Sequence, residues 1–509
     1  MNTRFNRKSQ WQRRGTQLST VVVAVLFLLT GCAVGPDYVR PAPPQVKHYT
    51  VTETPSLLAA GQDEPSQQLI TGKTISSQWW DLYQSKNLNQ VLEQAIANNP
   101  SLAAAKATLA QIQQTLLQAQ GAYYPQLDVD ASAQRQGTSA ARSTTSATYN
   151  LYSVGANVSY NFDLFGATRR RVEQAVAEVE NQQYQLAAAY LTLTGNAVNQ
   201  AINIASVRQQ ISAVQDIIAD DEHNLQLVRL KFNAGKAAQS DVLAADSQLA
   251  NDRVELPPLK QQLSVAQHAL AVATGKLPGL WAAPEFELTE FTLPTELPLS
   301  IPSELVRQRP DILAAEAQLH ASSAAIGVAA SQLYPNIELS GTLGAASLSS
   351  GSLFDASNRF WSLVASLTAP IFHGGALAAQ KQAAVYAFQA SAATYQQTVL
   401  TAFGQVADVL RALGHDAELI GAQKTALDTS LASLKLQRLS YAAGKSDLLQ
   451  LLDAERAYQQ ARLGYVRAQT QRYQDTAQLF IAMGGGWWQA KSLTLDPAAV
   501  ATPQTQPTP

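Results

Sequence analysis

The chain repeats itself at a spacing of about 210 residues, and such a repeat restricts it to architectures that use one structural unit twice. Leu227–Arg253 returns as Leu436–Arg462, with nine identities in 27 ungapped positions. At an offset of 210, Pro100, Ala104, Ala105, Leu109, Tyr124 and Pro125 recur as Pro310, Ala314, Ala315, Leu319, Tyr334 and Pro335. At 209, Tyr152–Gly166 aligns with Trp361–Gly375. The offsets keep their order across helical, turn and strand-like stretches, which separates them from chance similarity between Ala-rich helices. Duplication on this scale suits walls better than active sites.

The unit is dominated by helix. The stretch from about Arg169 to Phe232 contains no proline and predicts a helix on the order of 95 Å long. Ile211, Val214, Ile218, Leu225, Val228 and Phe232 are spaced 3, 4, 7, 3 and 4. In the second copy Ile420, Leu427, Leu431, Leu434, Arg438 and Tyr441 are spaced 7, 4, 3, 4 and 3, so both predict coiled-coil packing. Each long helix runs into a matching turn, Asn233-Ala234-Gly235-Lys236 or Ala442-Ala443-Gly444-Lys445, whose glycine supplies a left-handed cap. Asp241 and Asp447 then open return helices expected over 240–274 and 446–482. Pro257-Pro258 is expected to bend or interrupt the first of these.

Four strand-like segments lie away from the tips: 126–134, 154–162, 336–344 and 361–369. Each is nine residues of period-two alternation, the length of a tilted membrane strand, and each pair is joined by a polar loop, 135–150 or 345–358. Four strands cannot close a barrel, and lipid forbids open edges. If they cross a membrane, several chains must share one barrel. The other reading of these segments is a pair of soluble hairpins on a large helical protein.

The amino terminus carries Arg4, Arg7, Lys8, Arg13 and Arg14 without an acid, then the apolar run Val21–Leu29, then Leu29-Thr30-Gly31-Cys32. This reads as a signal peptide over 1–31 that is not part of the mature fold. Cys32 is the only cysteine, so no disulfide forms within one chain. Its context predicts lipidation, a diacylglyceryl thioether plus an N-acyl group, and several acyl chains bind a bilayer firmly. Without the leader the net charge is near −7, which disfavours nucleic acid as a partner. Residues 32–86 are expected to be a lipidated tether and the start of an equatorial region, 87–290 and 291–483 the two repeats, and 484–509 a flexible tail.

No catalytic constellation emerges, and no enzyme is predicted. His48, His223, His268, His320, His373 and His415 form no metal-spaced pair. The Gly-Gly pairs at 374–375 and 484–485 lack the lysine and hydroxyl of a phosphate loop. No cofactor is expected beyond the covalent lipid.

Taken as an ordered set, several motifs carry a resemblance. They are the Leu-Thr-Gly-Cys lipobox, Gly35-Pro36-Asp37-Tyr38, Trp79-Trp80, Arg307-Gln308-Arg309-Pro310-Asp311, Ala329–Asn336, Pro370-Ile371-Phe372 with Gly374-Gly375, and Leu451-Leu452-Asp453-Ala454-Glu455. Over residues 20–483 the chain resembles outer-membrane efflux lipoproteins of the TolC family, in the NodT/OprM-like branch. The resemblance implies a mostly α fold with membrane β: a homotrimer whose four strands per chain build one twelve-stranded β-barrel, continued by a long α-helical coiled-coil tunnel in the periplasm. It implies a passive channel in a tripartite efflux system for drugs or other small toxic compounds. The partners would be a periplasmic adaptor protein and an inner-membrane pump, commonly of the proton-driven RND type. The location would be the outer membrane, lipid-anchored and barrel-spanning.

The resemblance also assigns roles to residues. Arg229, Leu230, Gly235 and Lys236, with Arg438, Leu439, Gly444 and Lys445, match the family's adaptor-contact tips. Asp453 matches a lumen-facing acidic ring at the periplasmic gate, and Tyr441 stands where a gate tyrosine can sit. A second gate aspartate of the family is Gln450 here, and the family's basic residue after the glycine is Ser446, so this gate departs from the best-known pattern. The competing reading is a non-conducting trimeric scaffold or adaptor lipoprotein in the periplasm.

Overall fold

The structure, a computed structural model, describes residues 33–52, 55–59, 65–138 and 147–489. The leader 1–31 and Cys32 lie outside the described residues, as does the tail from residue 490 onward.

Eight helices are described: α1 Lys86–Asn98, α2 Pro100–Gly121, α3 Ala167–Asn233, α4 Gln239–Ala273, α5 Pro302–Gln308, α6 Pro310–Ser331, α7 Ala376–Ala442 and α8 Leu448–Ala482. Local chemistry explains where they start. The Asn99 side chain accepts from the backbone N–H of Ser101 and Leu102 at 2.9 and 3.1 Å, and Pro100 supplies a pre-set first turn. The Asp447 carboxylate accepts from Gln450 N–H at 2.9 Å, and Asp241 from Ala238 N–H at 2.9 Å. Helices α3 and α7 are both 67 residues long, while α4 and α8 are both 35. At 1.5 Å per residue the longer pair span about 100 Å.

Of the bend or interruption expected at Pro257-Pro258, the interruption does not occur: both prolines lie inside one continuous α4. Proline's φ is already helical, so the local cost is a lost backbone hydrogen bond and crowding in the preceding turn. Packing outweighs it here, because Leu259 buries itself against Val207 and Val214 of α3.

The strands form two sheets. Leu57–Leu58 (β1) pairs antiparallel with Gln67–Thr71 (β2), which pairs parallel with Glu296–Leu299 (β5). The larger sheet holds Gln126–Thr138 (β3), Ala147–Phe162 (β4), Asn336–Ser347 (β6) and Arg359–Thr368 (β7), all antiparallel in the order β3-β4-β6-β7. These strands exceed the nine-residue segments of apolar alternation. Parts of both expected loops join the ladder, as at Thr138↔Ala147, because pairing satisfies backbone groups whatever the side chain.

The register sorts the sheet into two faces. Leu127↔Val158↔Gly341↔Leu363 and Val129↔Ala156↔Leu343↔Trp361 run across one face. Asp128↔Asn157↔Thr342↔Ser362 crosses the other, where Asp130, Asn157 and Thr342 are linked by hydrogen bonds. The apolar face is bare: Val129, Leu343, Trp361 and Leu367 are all at least 65% exposed. Strands β3 and β7 each pair on one side only. Among the described residues no helix is long and apolar enough to cross a membrane.

The main core lies at mid-height, where β1, β2 and β5 wrap the long helices. Trp79 stacks on Phe480 at 5.3 Å, and Tyr83 donates its hydroxyl to Tyr473 C=O at 2.8 Å. Arg309, from the Arg-Gln-Arg-Pro-Asp motif, pairs with Asp311 at 2.6 Å and donates to Ala482 C=O at 2.9 Å.

Both expected loose ends are partly fastened. Residues 33–52 run along the body as a strap. Asp37 pairs with Arg170 at 2.6 Å, Tyr38 stacks on His320 at 4.3 Å, and Gly35 sits so close to Gly327 that a Cβ would fall 2.5 Å from its Cα. At the other end, 484–489 belong to the packed body rather than to a flexible tail. Gly484, Gly485 and Gly486 take positive φ and are buried, and Trp487 donates to Gln308 C=O at 2.7 Å.

Candidate functional site at the helical tips

The two tips are built identically. Gly235 has φ +68° and Gly444 has φ +69°. Lys236 N–H returns to Lys231 C=O and Lys445 N–H to Ser440 C=O, both at 2.8 Å, while each glycine N–H bonds the carbonyl three residues back. This pattern caps a helix and reverses the chain in the fewest residues. Around the glycines no atom lies within 4 Å of where a Cβ would stand, so the tips project into open space. Leu230 is 65% exposed and Leu439 71%.

The tip arginines differ. Among the described residues Arg229 on α3 pairs with Asp246 alone, on α4, at 3.4 Å with both partners exposed. Arg438 on α7 reaches Glu455 on α8 at 3.5 Å and also Asp220 on α3 at 2.6 Å, so it joins the two hairpins. Tyr441 carries the Lys231 ammonium 3.6 Å above its ring centroid, a second link between the hairpins. Gln450 is exposed in the first turn of α8, and its backbone N–H is taken by the Asp447 cap. Asp453 is also exposed, but Arg456 one turn later lies 3.3 Å away. Its charge is therefore accompanied by a cation that the motif did not suggest.

Behind the tips lies a buried polar seam that motif matching missed. Asn224 donates to Glu455 at 2.6 Å, Gln459 to Asp252 at 2.9 Å and Arg456 to Gln248 at 3.0 Å. Farther from the tips Arg462 meets Asp216 at 2.7 Å and Thr470 meets Ser206 at 2.7 Å. Burial raises Glu455 above the usual carboxylate range, although Asn224 and Arg438 pull it back. Burial, then the Asp252 carboxylate, pushes Asp221 up to about 8. One sequence signal was available: Asp221 fills the seven-residue gap between Ile218 and Leu225, so a charge occupies a coiled-coil core position.

A sheet with a bare apolar face and a hydrogen-bonded polar face, carried with two 67-residue helices, makes a fold that is shared with solved channels. The structure described as the outer-membrane channel OprN superposes with a TM-score of 0.82 at 27% identity, over 90% of this chain and all of that one. The open state of the Neisseria gonorrhoeae MtrE outer-membrane channel superposes at 0.77 with 26% identity, over 90% and 99%. The fold thus defines an outer-membrane channel. In sequence, the pyoverdine export outer membrane protein OpmQ of Pseudomonas aeruginosa is 30% identical over 449 residues, 85% of this chain and 94% of the relative. The family model described as "Outer membrane efflux protein" matches residues 91–276 and again 301–485. The chain belongs to that family and is the outer-membrane channel component of an efflux system.

Proposed function

We propose that three copies join edge to edge, β7 of one beside β3 of the next, and close a twelve-stranded barrel. The observation carrying this reading is the four-stranded sheet with one bare apolar face and two unpaired edges. Lipid removes every alternative partner for those edge groups. The apolar face then meets lipid and the Asp128, Asp130, Asn157 and Thr342 face lines a wet lumen. The repeat is favoured by the equal helix lengths and by the family model matching each half.

The four long helices of each protomer would continue the pore as a periplasmic tunnel. The tips, with Leu230, Gly235, Leu439 and Gly444, offer apolar and backbone surface to a periplasmic adaptor. An inner-membrane pump, in our reading of the proton-driven RND type, supplies the energy. Conduction through the channel itself is passive, and the cargo is drugs or other small toxic compounds. Cys32, acylated, would hold the strap to the inner leaflet, since Ala33 already packs against Gly166 where β4 turns into α3.

At the gate Asp453 would form a ring of three carboxylates, each tempered by its own Arg456. Purified protein in planar bilayers tests the whole reading: stepwise ion conductance from a trimer is expected, and a stable monomer without conductance sinks it. Replacing Asp453 with Ala is expected to raise the closed-state conductance, since removing the carboxylates frees Arg456 from the constriction. Wild-type conductance in that variant would remove Asp453 from the gate.

A further inference from the structure

The motifs account for the tips but not for the acid buried behind them. Asp221 lies on α3 and is only 3% exposed, and its Oδ2 has no hydrogen-bond donor. It faces Asp252 of α4, 4% exposed, whose two oxygens already accept from Gln248 and Gln459. Glu455 of α8, 6% exposed, also leaves an oxygen without a donor. Arg438 of α7 is the only cation among the described residues that contacts this acid directly, and it is already shared between Asp220 and Glu455. Arg456 reaches Asp252 only through Gln248. Around this point, then, stand Asp220 and Asp221 from α3, Asp252 from α4, Glu455 and Arg456 from α8, and Arg438 from α7.

Two buried carboxyls facing each other hold together only if a proton lies between them, because two like charges out of water repel strongly. We propose that the Asp221–Asp252 pair is a proton-operated latch that holds α3 to α4 behind the first tip, with Gln459 of α8 seated on the same pair, and so sets how readily the tip end opens. With the proton present, Asp221 donates to Asp252, and Gln459 of α8 completes the second carboxylate. Loss of that proton leaves two buried anions between the helices and pushes the seam apart. The pair lies 14 residues before Gly235 and 17 after it, roughly 20–25 Å along the helices from the tip. A displacement there is transmitted to the tips through continuous helix.

The direction follows from linkage. Asp221 is raised by burial and by Asp252, so the proton it gains on folding favours the packed seam. That contribution is complete below the ordinary carboxylate value of 3.8 and is lost as pH climbs through about 8. Alkaline conditions therefore loosen the latch.

A second facing pair provides a control. Asp416 of α7 is buried, raised to about 7 by burial and then by Asp475 of α8, with Arg472 opposing. It lies 28 residues before Gly444, far from the tips.

The conductance arm of the test rests on the channel reading; the exchange arm does not. In planar bilayers, wild-type closed-state conductance is expected to rise about twofold or more between about pH 6 and about pH 9. Asp221→Asn, which donates at every pH, should abolish the rise, while Asp416→Asn should keep it. Asp252→Asn should move the midpoint to lower pH. Deuterium uptake over 210–255 of the folded protein, corrected for intrinsic exchange, should follow the same pattern. An Asp221→Asn variant that titrates like wild type in conductance overturns the proposal. If no variant conducts, the channel reading fails, and exchange decides the latch alone: uptake of Asp221→Asn that keeps the wild-type pH dependence overturns it.

Discussion

The two hairpins share a backbone and differ in what surrounds it. Arg229–Asp246 in the first corresponds to Arg438–Glu455 in the second, both residues shifted by 209. In the first hairpin the pair is exposed on both sides. In the second, Glu455 is 6% exposed and its arginine is also claimed by Asp220 of the other hairpin. The same type of ion pair, at positions 209 residues apart, thus lies on the surface in one hairpin and fastens the seam in the other. The difference arises because α8 packs against α3 with Glu455 facing inward, whereas α4 leaves Asp246 at its rim.

Mutation can break that contrast. Arg438→Ala strands a buried carboxylate and cuts the α3–α7 link, and should cost about 2–3 kcal/mol, an amount reduced because Arg438 itself is partly exposed. Denaturant unfolding in detergent measures it, and Asp220→Asn combined with Arg438→Ala shows how much belongs to the cross-hairpin contact. Next come Gly235→Ala and Gly444→Ala, each expected to cost about 1–2 kcal/mol because the φ is left-handed in both tips. Unequal costs would show that the tips differ in more than their sequences. The smallest effect belongs to Arg229→Ala, within about 0.5 kcal/mol by the same measurement. A loss equal to that of Arg438→Ala would erase the distinction between the copies.

Much of this was legible beforehand. The proline-free run from about Arg169 to Phe232 predicted the first long helix, found as 67 residues, and Gly-Lys turns predicted both tips, because caps and propensity act over a few neighbouring residues. The four strands of the larger sheet could be read from alternation, but their ends could not, since ladders extend wherever backbones pair. The Asp221 gap was visible as a charge in an apolar stripe, yet nothing local said what it faces.

By itself, then, the sequence determined the long helices, the four strands of the larger sheet, their order and the apolar and polar sides of those strands, since these depend on residue type and spacing along one chain. The tertiary structure alone decided that α4 passes through Pro257-Pro258 unbroken, that 33–52 and 484–489 are fastened to the body, that Arg456 attends Asp453, and that Asp221 faces Asp252. Each of these rests on partners tens or hundreds of residues away. Burial and charge are properties of the neighbourhood, and the neighbourhood exists only once the helices have packed.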